Sequence, residues 1–151
     1  MKKLILTVTI AMMASFVFGQ EVVLKDGKYY TGDEPFTGQC TQYFDNGKIK
    51  CEAYIQKGIP DGIMYLYHDN GKLKEQRVYK NGKKDGTWIQ WDENQNKIAE
   101  ANYKNDQKHG YWYMWDTNGN KTYELYYVNG EKQGNWYMWD SNGNLAMEKN
   151  F

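Results

Sequence analysis

The stretch GYWYMWDTNGN from Gly110 returns as GNWYMWDSNGN from Gly134, a displacement of 24 residues. The same spacing aligns the chain back to Gly38, with copies opening at Gly38, Gly62, Gly86, Gly110 and Gly134. A fixed period of this size marks a chain built from one supersecondary unit stacked on its own copies. The agreement is positional. Place six is always aromatic (Tyr43, Tyr67, Trp91, Trp115, Trp139) and place nine always asparagine (Asn46, Asn70, Asn94, Asn118, Asn142). Place fifteen is Glu or Gln (Glu52, Gln76, Glu100, Glu124, Glu148), and place eighteen is Ile55, Tyr79, Tyr103, Tyr127 and finally Phe151.

Each unit reads as a β-hairpin. The ring-rich run GYWYMWD has strand composition. In DTNG, Asp at the first position and Gly at the fourth suit a type I turn followed by a glycine at positive φ. Such a turn makes a three-residue hairpin loop. Segments such as NGKKDG and NGEKQG lead the chain into the next hairpin. The expected fold is all-β: an elongated, single-layer, twisted antiparallel sheet of tandem hairpins with period 24, about ten repeat strands plus two from a cap. The repeats are 38–61, 62–85, 86–109, 110–133 and 134–151. Residues 20–37 form a degenerate capping hairpin turning at Asp26-Gly27, since terminal repeats are atypical.

A loop of Asp45, Asn46 and Gly47 closes Phe44 against Lys48. Even places of both strands then share one face, because strand side chains alternate. In the fourth repeat that face holds Tyr111, Tyr113, Trp115, Tyr123, Leu125 and Tyr127 and is the expected packed face. The other face holds Trp112, Met114 and Glu124, and sets a Trp88–Trp112–Trp136 column beside a Glu100–Glu124–Glu148 column. A two-residue Asn-Gly loop scrambles this partition. The same choice governs Cys40 and Cys51. The three-residue loop puts them on opposite faces, where no disulfide forms; a loop of Asp45 and Asn46 alone sets them face to face.

The chain opens Met1-Lys2-Lys3, runs through apolar residues from Leu4 to Phe18, and reaches Gly19-Gln20. A charged start, a short apolar stretch and small residues near its end read as a signal peptide over 1–19, cut before Gln20. The apolar run is shorter than the ~20 residues a membrane-spanning helix needs. Export to the periplasm or the medium is therefore expected. The leader takes two of the 19 basic residues and none of the 19 acidic ones, leaving a net charge of −2. That balance argues against nucleic acid and against an anionic membrane surface, both of which call for concentrated positive charge.

The connectors GKKDG, DQKHG and GEKQG, each followed by W and then W/Y-D-x-N-G, resemble the MORN repeat variant. The start PFTG at Pro35–Gly38 resembles small bacterial proteins of this type, many described as YwqK-family antitoxins of toxin–antitoxin systems. The likeness spans about residues 27–151. It implies an elongated antiparallel sheet that binds proteins and, in some members, lipids. Gln95 and Asp106 stand where the pattern has Gly, implying a locally altered third repeat.

Nothing in the chain spells a catalytic or metal motif. His68 and His109 occupy unrelated repeat places, and His109 reads as a connector residue. A calcium loop counted from Asp116 needs Gly sixth and Glu twelfth; those places hold Lys121 and Tyr127. An active site needs one asymmetric constellation, whereas Glu124 has equivalents in neighbouring repeats. The expectation is a non-enzymatic, cofactor-free binding protein whose rings and carboxylates (Trp88, Trp112, Trp136, Glu100, Glu124, Glu148) meet a protein partner. A glycan stacked on the tryptophan stripe is the alternative, and an enzyme is third.

Overall fold

A computed structural model describes residues 14–17 and 20–151. Most of the expected leader over 1–19 lies outside the described residues; its segment Ala14–Val17 pairs as a strand with Gln20–Lys25. The described chain is all-β. An open antiparallel sheet runs hairpin by hairpin from Gly38–Tyr43 at one end to Leu145–Asn150 at the other, twelve-stranded when the short strands Lys83–Lys84 and Glu131–Lys132 are included. A separate four-stranded sheet of Ala14–Val17, Gln20–Lys25, Lys28–Thr31 and Glu34–Pro35 precedes it. The cap is thus more than the expected hairpin. It docks through backbone bonds from Tyr29 N–H to Gly58 O (2.9 Å) and from Gly58 N–H to Phe36 O (2.8 Å).

Two kinds of turn alternate along the sheet. On one edge the expected three-residue loop is present: Phe44 N–H donates to Lys48 O at 2.8 Å and Gly47 N–H to Phe44 O at 2.9 Å. The loop repeats at His68/Lys72, Asp92/Asn96, Asp116/Asn120 and Asp140/Asn144. Where place seven is Asp, its Oδ1 accepts the backbone N–H groups two and four residues on, as at Asp116 from Asn118 and Asn120, both 2.9 Å. Where it is Phe44 or His68, the Asn at place nine accepts instead. On the other edge each connector is a two-residue turn with both residues at positive φ, such as Lys57-Gly58 (50° and 80°) and Asn81-Gly82 (51° and 76°). This is the mirror-image type whose twist matches a hairpin's strands.

Gln95 and Asp106 do not alter the third repeat. Both hold the left-handed backbone of the glycines they replace, at φ 74° and 68°. That conformation costs a residue bearing Cβ about 1–2 kcal/mol. Each side chain offsets it by reaching into the preceding repeat: Gln95 Nε2 donates to Leu73 O at 2.8 Å, and Asp106 Oδ1 accepts from Lys84 N–H at 2.8 Å.

The loop was read correctly, yet the face partition is not the expected one. Just inside each three-residue loop the register shifts again, between Gln42/Tyr43, Leu66/Tyr67, Gln90/Trp91, Met114/Trp115 and Met138/Trp139. One extra residue on the return strand flips its side chains relative to the outgoing strand. Trp112 therefore stands opposite Leu125, Met114 opposite Tyr123, and Tyr113 opposite Glu124. Trp112 and Met114 share a face with Tyr123, Leu125 and Tyr127. Tyr111, Tyr113 and Trp115 share the other with Glu124 and Tyr126.

The corrected register assembles a continuous ring ladder. Place three of one repeat packs between places eighteen of two, giving Tyr79–Trp88–Tyr103–Trp112–Tyr127–Trp136–Phe151 with centroids 5.4, 5.1, 5.1, 5.5, 5.1 and 4.7 Å apart. Such pairs add about 0.5–1.5 kcal/mol each beyond the area they bury. Each ladder indole N–H is satisfied by a carbonyl ten residues earlier: Trp88 on Val78, Trp112 on Asn102 and Trp136 on Tyr126, at 2.9–3.0 Å. Lys84, Lys108 and Lys132 lie over successive ring pairs at 4.4–4.9 Å. Towards the N-terminus the same positions become aliphatic. There Cys40, Ile55 and Met64 join Val22, Phe36 and Ala53 in the buried cluster that the cap closes.

Three outcomes follow from this frame. In urea unfolding, Gln95→Gly is near neutral, because relief of strain and loss of the Leu73 bond are both about 1 kcal/mol. Gln95→Ala, which keeps the strain and loses the bond, is destabilised by about 1 kcal/mol. In the ladder, Trp136→Ala costs about 3–5 kcal/mol, while Phe151→Ala costs clearly less, because that ring has a ladder neighbour on one side only. Finally, Asp92, Asp116 and Asp140 are held below the ordinary carboxyl range, Asp92 chiefly by the Asn96 side-chain amide and the other two chiefly by the backbone N–H groups of Asn120 and Asn144. A pKa lowered on folding contributes stability above the unfolded value of about 3.9, lost as pH falls through the folded one. The thermal midpoint should hold from neutrality to about pH 4 and then drop, with a shallower drop when all three aspartates are replaced by serine.

Candidate functional site

The ladder runs along one face of the sheet, where Met114, Tyr123 and Met147 nearer the three-residue loops stay 36–38% exposed. Trp88, Trp112 and Trp136 are its alternate rungs, each in contact with rings on both sides. Glu100, Glu124 and Glu148 stand on the opposite face, across from Ile89 and Tyr113, from Tyr113 and Tyr137, and from Tyr137. The sequence-predicted tryptophan and glutamate columns are thus separated by the thickness of the sheet, and the register shift inside each loop is the reason.

The most exposed large apolar side chains lie on the opposite face. Tyr43, Tyr54, Ile63 and Tyr111 lie on it with 56, 44, 46 and 47% of their surfaces exposed. Its rings form short local stacks: Tyr111 on Tyr113 at 5.7 Å and 7°, Tyr113 beside Trp115 at 5.8 Å, and Tyr137 on Trp139 at 5.8 Å and 30°. Carboxylates of the place-fifteen column punctuate them. Tyr67 donates its hydroxyl to Glu52 Oε2 at 2.6 Å, and that bond, with burial second, pushes the phenol up to about 12. Glu100 pairs with Lys97, and Glu124 with Lys121 at 2.7 Å. The two lysines also lie over rings, Lys97 on Trp115 at 5.0 Å and Lys121 on Tyr113 at 4.6 Å. Exposed ion pairs of this kind contribute little stability; their effect is to hold rings and carboxylates in fixed mutual positions. Place-six rings and place-fifteen acids were visible in the sequence. Their convergence was not, because it depends on the second register shift.

Cys40 and Cys51 follow neither alternative read from the sequence. Cys40 stands opposite Ala53 and Cys51 opposite Gln42, so the thiols share the ladder face as diagonal neighbours. Diagonal positions lie about 7–8 Å apart, beyond the reach of an unstrained bridge, and both residues are thiols in the structure. Burial, with Cys40 second, pushes the Cys51 thiol up to about 11, which suppresses its thiolate and its reactivity.

Both histidines serve backbone groups. His68 Nε2 bonds Trp91 O at 3.0 Å, tying one loop to the next, and His109 Nδ1 accepts Asn129 N–H at 3.4 Å. The latter is the bond that Thr37, Asp61 and Asp85 make at the other connectors. Among the described residues no group of three His, Cys, Asp or Glu converges as a metal site would require.

No curated protein is similar to the chain. The MORN repeat variant matches it over residues 36–57, 60–81, 84–105, 108–129 and 132–151, windows that advance by 24 and each open just before the place-one glycine. MORN repeats are in general interaction modules for proteins and membranes, and the family is non-enzymatic. With the match covering most of residues 36–151, the chain belongs to the MORN repeat variant family.

Proposed function

We propose that the protein is a non-catalytic binding scaffold that works outside the cytoplasm and engages a protein partner through the open aromatic face. The observation that carries this reading is the exposure of Tyr43, Tyr54, Ile63 and Tyr111 on one side of the sheet while the ladder stabilises the other. Tyrosine and tryptophan are enriched among the residues that dominate binding energy at interfaces. The face offers them in fixed orientations, so little conformational freedom is lost on contact. Its lysine–glutamate pairs supply a polar setting between the rings, as the rim of an interface does. The charged start and short apolar run at the N-terminus support export. The YwqK-type resemblance adds a class of partner to test, a toxin neutralised outside the cytoplasm.

A glycan is the second reading. It now rests on the flat stacks Tyr111–Tyr113 and Tyr137–Trp139 rather than on Trp88, Trp112 and Trp136.

The test is affinity purification from the cross-linked cell envelope, with the full chain and with a Tyr43→Ser/Ile63→Ser/Tyr111→Ser variant. The expected result is a discrete protein recovered with the parent chain, lost with the triple variant, and retained with Met114→Ser on the ladder face. Intact mass should show a mature chain starting at Gln20, without Ala14–Val17 and so with a three-stranded cap. Recovery unchanged by the triple variant, or tryptophan quenching by soluble oligosaccharides with no protein recovered, overturns the reading in favour of another surface or of a glycan.

A further inference from the structure

The open face carries one hollow that the repeat does not reproduce. Where the fourth repeat meets the fifth, Tyr111, Glu124, Tyr126, Gly134, Asn135 and Tyr137 line a depression of about 530 Å³. Its three rings come from place two, place seventeen and place four of the next repeat. At the preceding junctions those places hold Gln39, Tyr54 and Tyr65, then Ile63, Val78 and Ile89, then Thr87, Asn102 and Tyr113. Three tyrosines meet at this junction and at none of those. Asymmetry of this kind is what a specific site requires and what an array of equal copies otherwise lacks.

The rings are set in place. Tyr111 stands directly across the strand pair from Tyr126, with centroids 4.8 Å apart and planes at 53°, forming a corner. Tyr137 lies across from Glu124, and Asn135 Nδ2 donates to its hydroxyl at 2.9 Å. Gly134, at φ 61°, closes the lining, and a Cβ there would sit in ordinary contact with Tyr126 Cδ1 at 3.9 Å.

Charge selects the occupant. Glu124 is balanced by Lys121 at 2.7 Å. Glu148, across the strand pair from Tyr137 and just outside the lining, accepts from the Asn135 amide at 3.3 Å and makes no ion pair among the described residues. The hollow's own carboxylate is thus balanced, and Glu148 adds one unbalanced carboxylate beside it. Elsewhere the protein covers rings with its own cations: a lysine lies over every ladder ring from Trp88 to Phe151, and Lys121 over Tyr113 and Trp139. No lysine or arginine of the described residues lies over Tyr111, Tyr126 or Tyr137. Tyrosine faces around a desolvated ammonium, with a carboxylate close by, are the arrangement that recognises alkylated cations. An apolar plug would strand the carboxylate and amide without water, and an anion would be repelled.

We infer that this tyrosine box seats a lysine side chain, free or N-methylated, presented by the protein partner. The inference rests on the protein-binding reading above and names the chemistry of its anchor. The probe is tetramethylammonium chloride, followed by NMR of the tyrosine ring signals in the full mature chain, against tert-butanol at matched ionic strength. The expected result is saturable shifts confined to Tyr111, Tyr126 and Tyr137 with the cation and none with the alcohol. Tyr126→Asn, which installs the residue that the third repeat carries at this place, abolishes them. If that variant unfolds, Tyr137→Ile, matching Ile89, serves instead. Equal shifts with both probes, shifts that survive these substitutions, or shifts of the same rings by cello- or chito-oligosaccharides overturn the inference. Sedimentation of the parent chain but not the variant with phosphatidylcholine vesicles also overturns it, by assigning the box to a lipid head group. Since the probe is a small cation, its failure leaves recovery of a protein through the rest of the face intact, and the two results are separable.

Discussion

The contact between the ring at place three and the rings at place eighteen holds this structure together. A single-layer sheet has no second layer to bury its apolar face, so each rung must be shielded by its own neighbours. The ladder does this with rings 4.7–5.5 Å apart, lysine stems laid across them, and indole N–H groups satisfied within the sheet. Ring contacts, cation–π contacts and the indole hydrogen bond recur in each of the third, fourth and fifth repeats, as expected where stability is a sum of neighbour terms. It also explains why few residues are deeply buried: the fully enclosed ones, Ile55 and Val22, sit where the cap adds the missing second layer.

Much of this was legible in the sequence, and the part that was not has a definite cause. The period, the hairpin, the three-residue loop and the Phe44–Lys48 closure follow from glycine, asparagine and aspartate at fixed places, because turn chemistry is local. The assignment of faces failed on a single inserted residue. The bulge between Gln42 and Tyr43, and its equivalents, has no distinctive residue of its own; it arises from the pairing of two strands. A one-residue shift inverts every side chain beyond it. That inversion moved Glu124 away from Trp112 and brought Cys51 round to the face of Cys40. Gln95 and Asp106 taught the converse. A missing glycine need not change the backbone when its replacement reaches a partner in the preceding repeat.

The gradient along the ladder gives the ends different characters. At the N-terminal end the rungs shrink to Ile55, Met64 and Cys40, and the cap strands supply bulk that rings supply elsewhere. The two cysteines belong to this change of scale: small apolar groups against a second layer, with Cys51 held protonated by burial. Phe151 closes the ladder with Lys132 and Lys149 over its ring, and Leu145–Asn150 is exposed along its length. Glu148 and Lys149 on that last strand are the kind of edge charge that discourages strand-to-strand association.

The ladder rungs at places three and eighteen pack on one another, so places two and seventeen on the opposite face vary even while places six and fifteen there stay aromatic and Glu or Gln. Place seventeen runs Tyr54, Val78, Asn102, Tyr126 and Asn150, while place eighteen beside it stays large and apolar throughout. Adjacent residues point to opposite sides of the sheet, so variation at one leaves the ladder rung at the other undisturbed. The hollow between the fourth and fifth repeats is a product of that independence: Tyr111, Tyr126 and Tyr137 meet there without any change to Trp112, Tyr127 or Trp136 behind them. A repeat protein that stabilises itself with one face can write a single asymmetric site on the other, and the difference between neighbouring repeats, not their likeness, is where specificity resides.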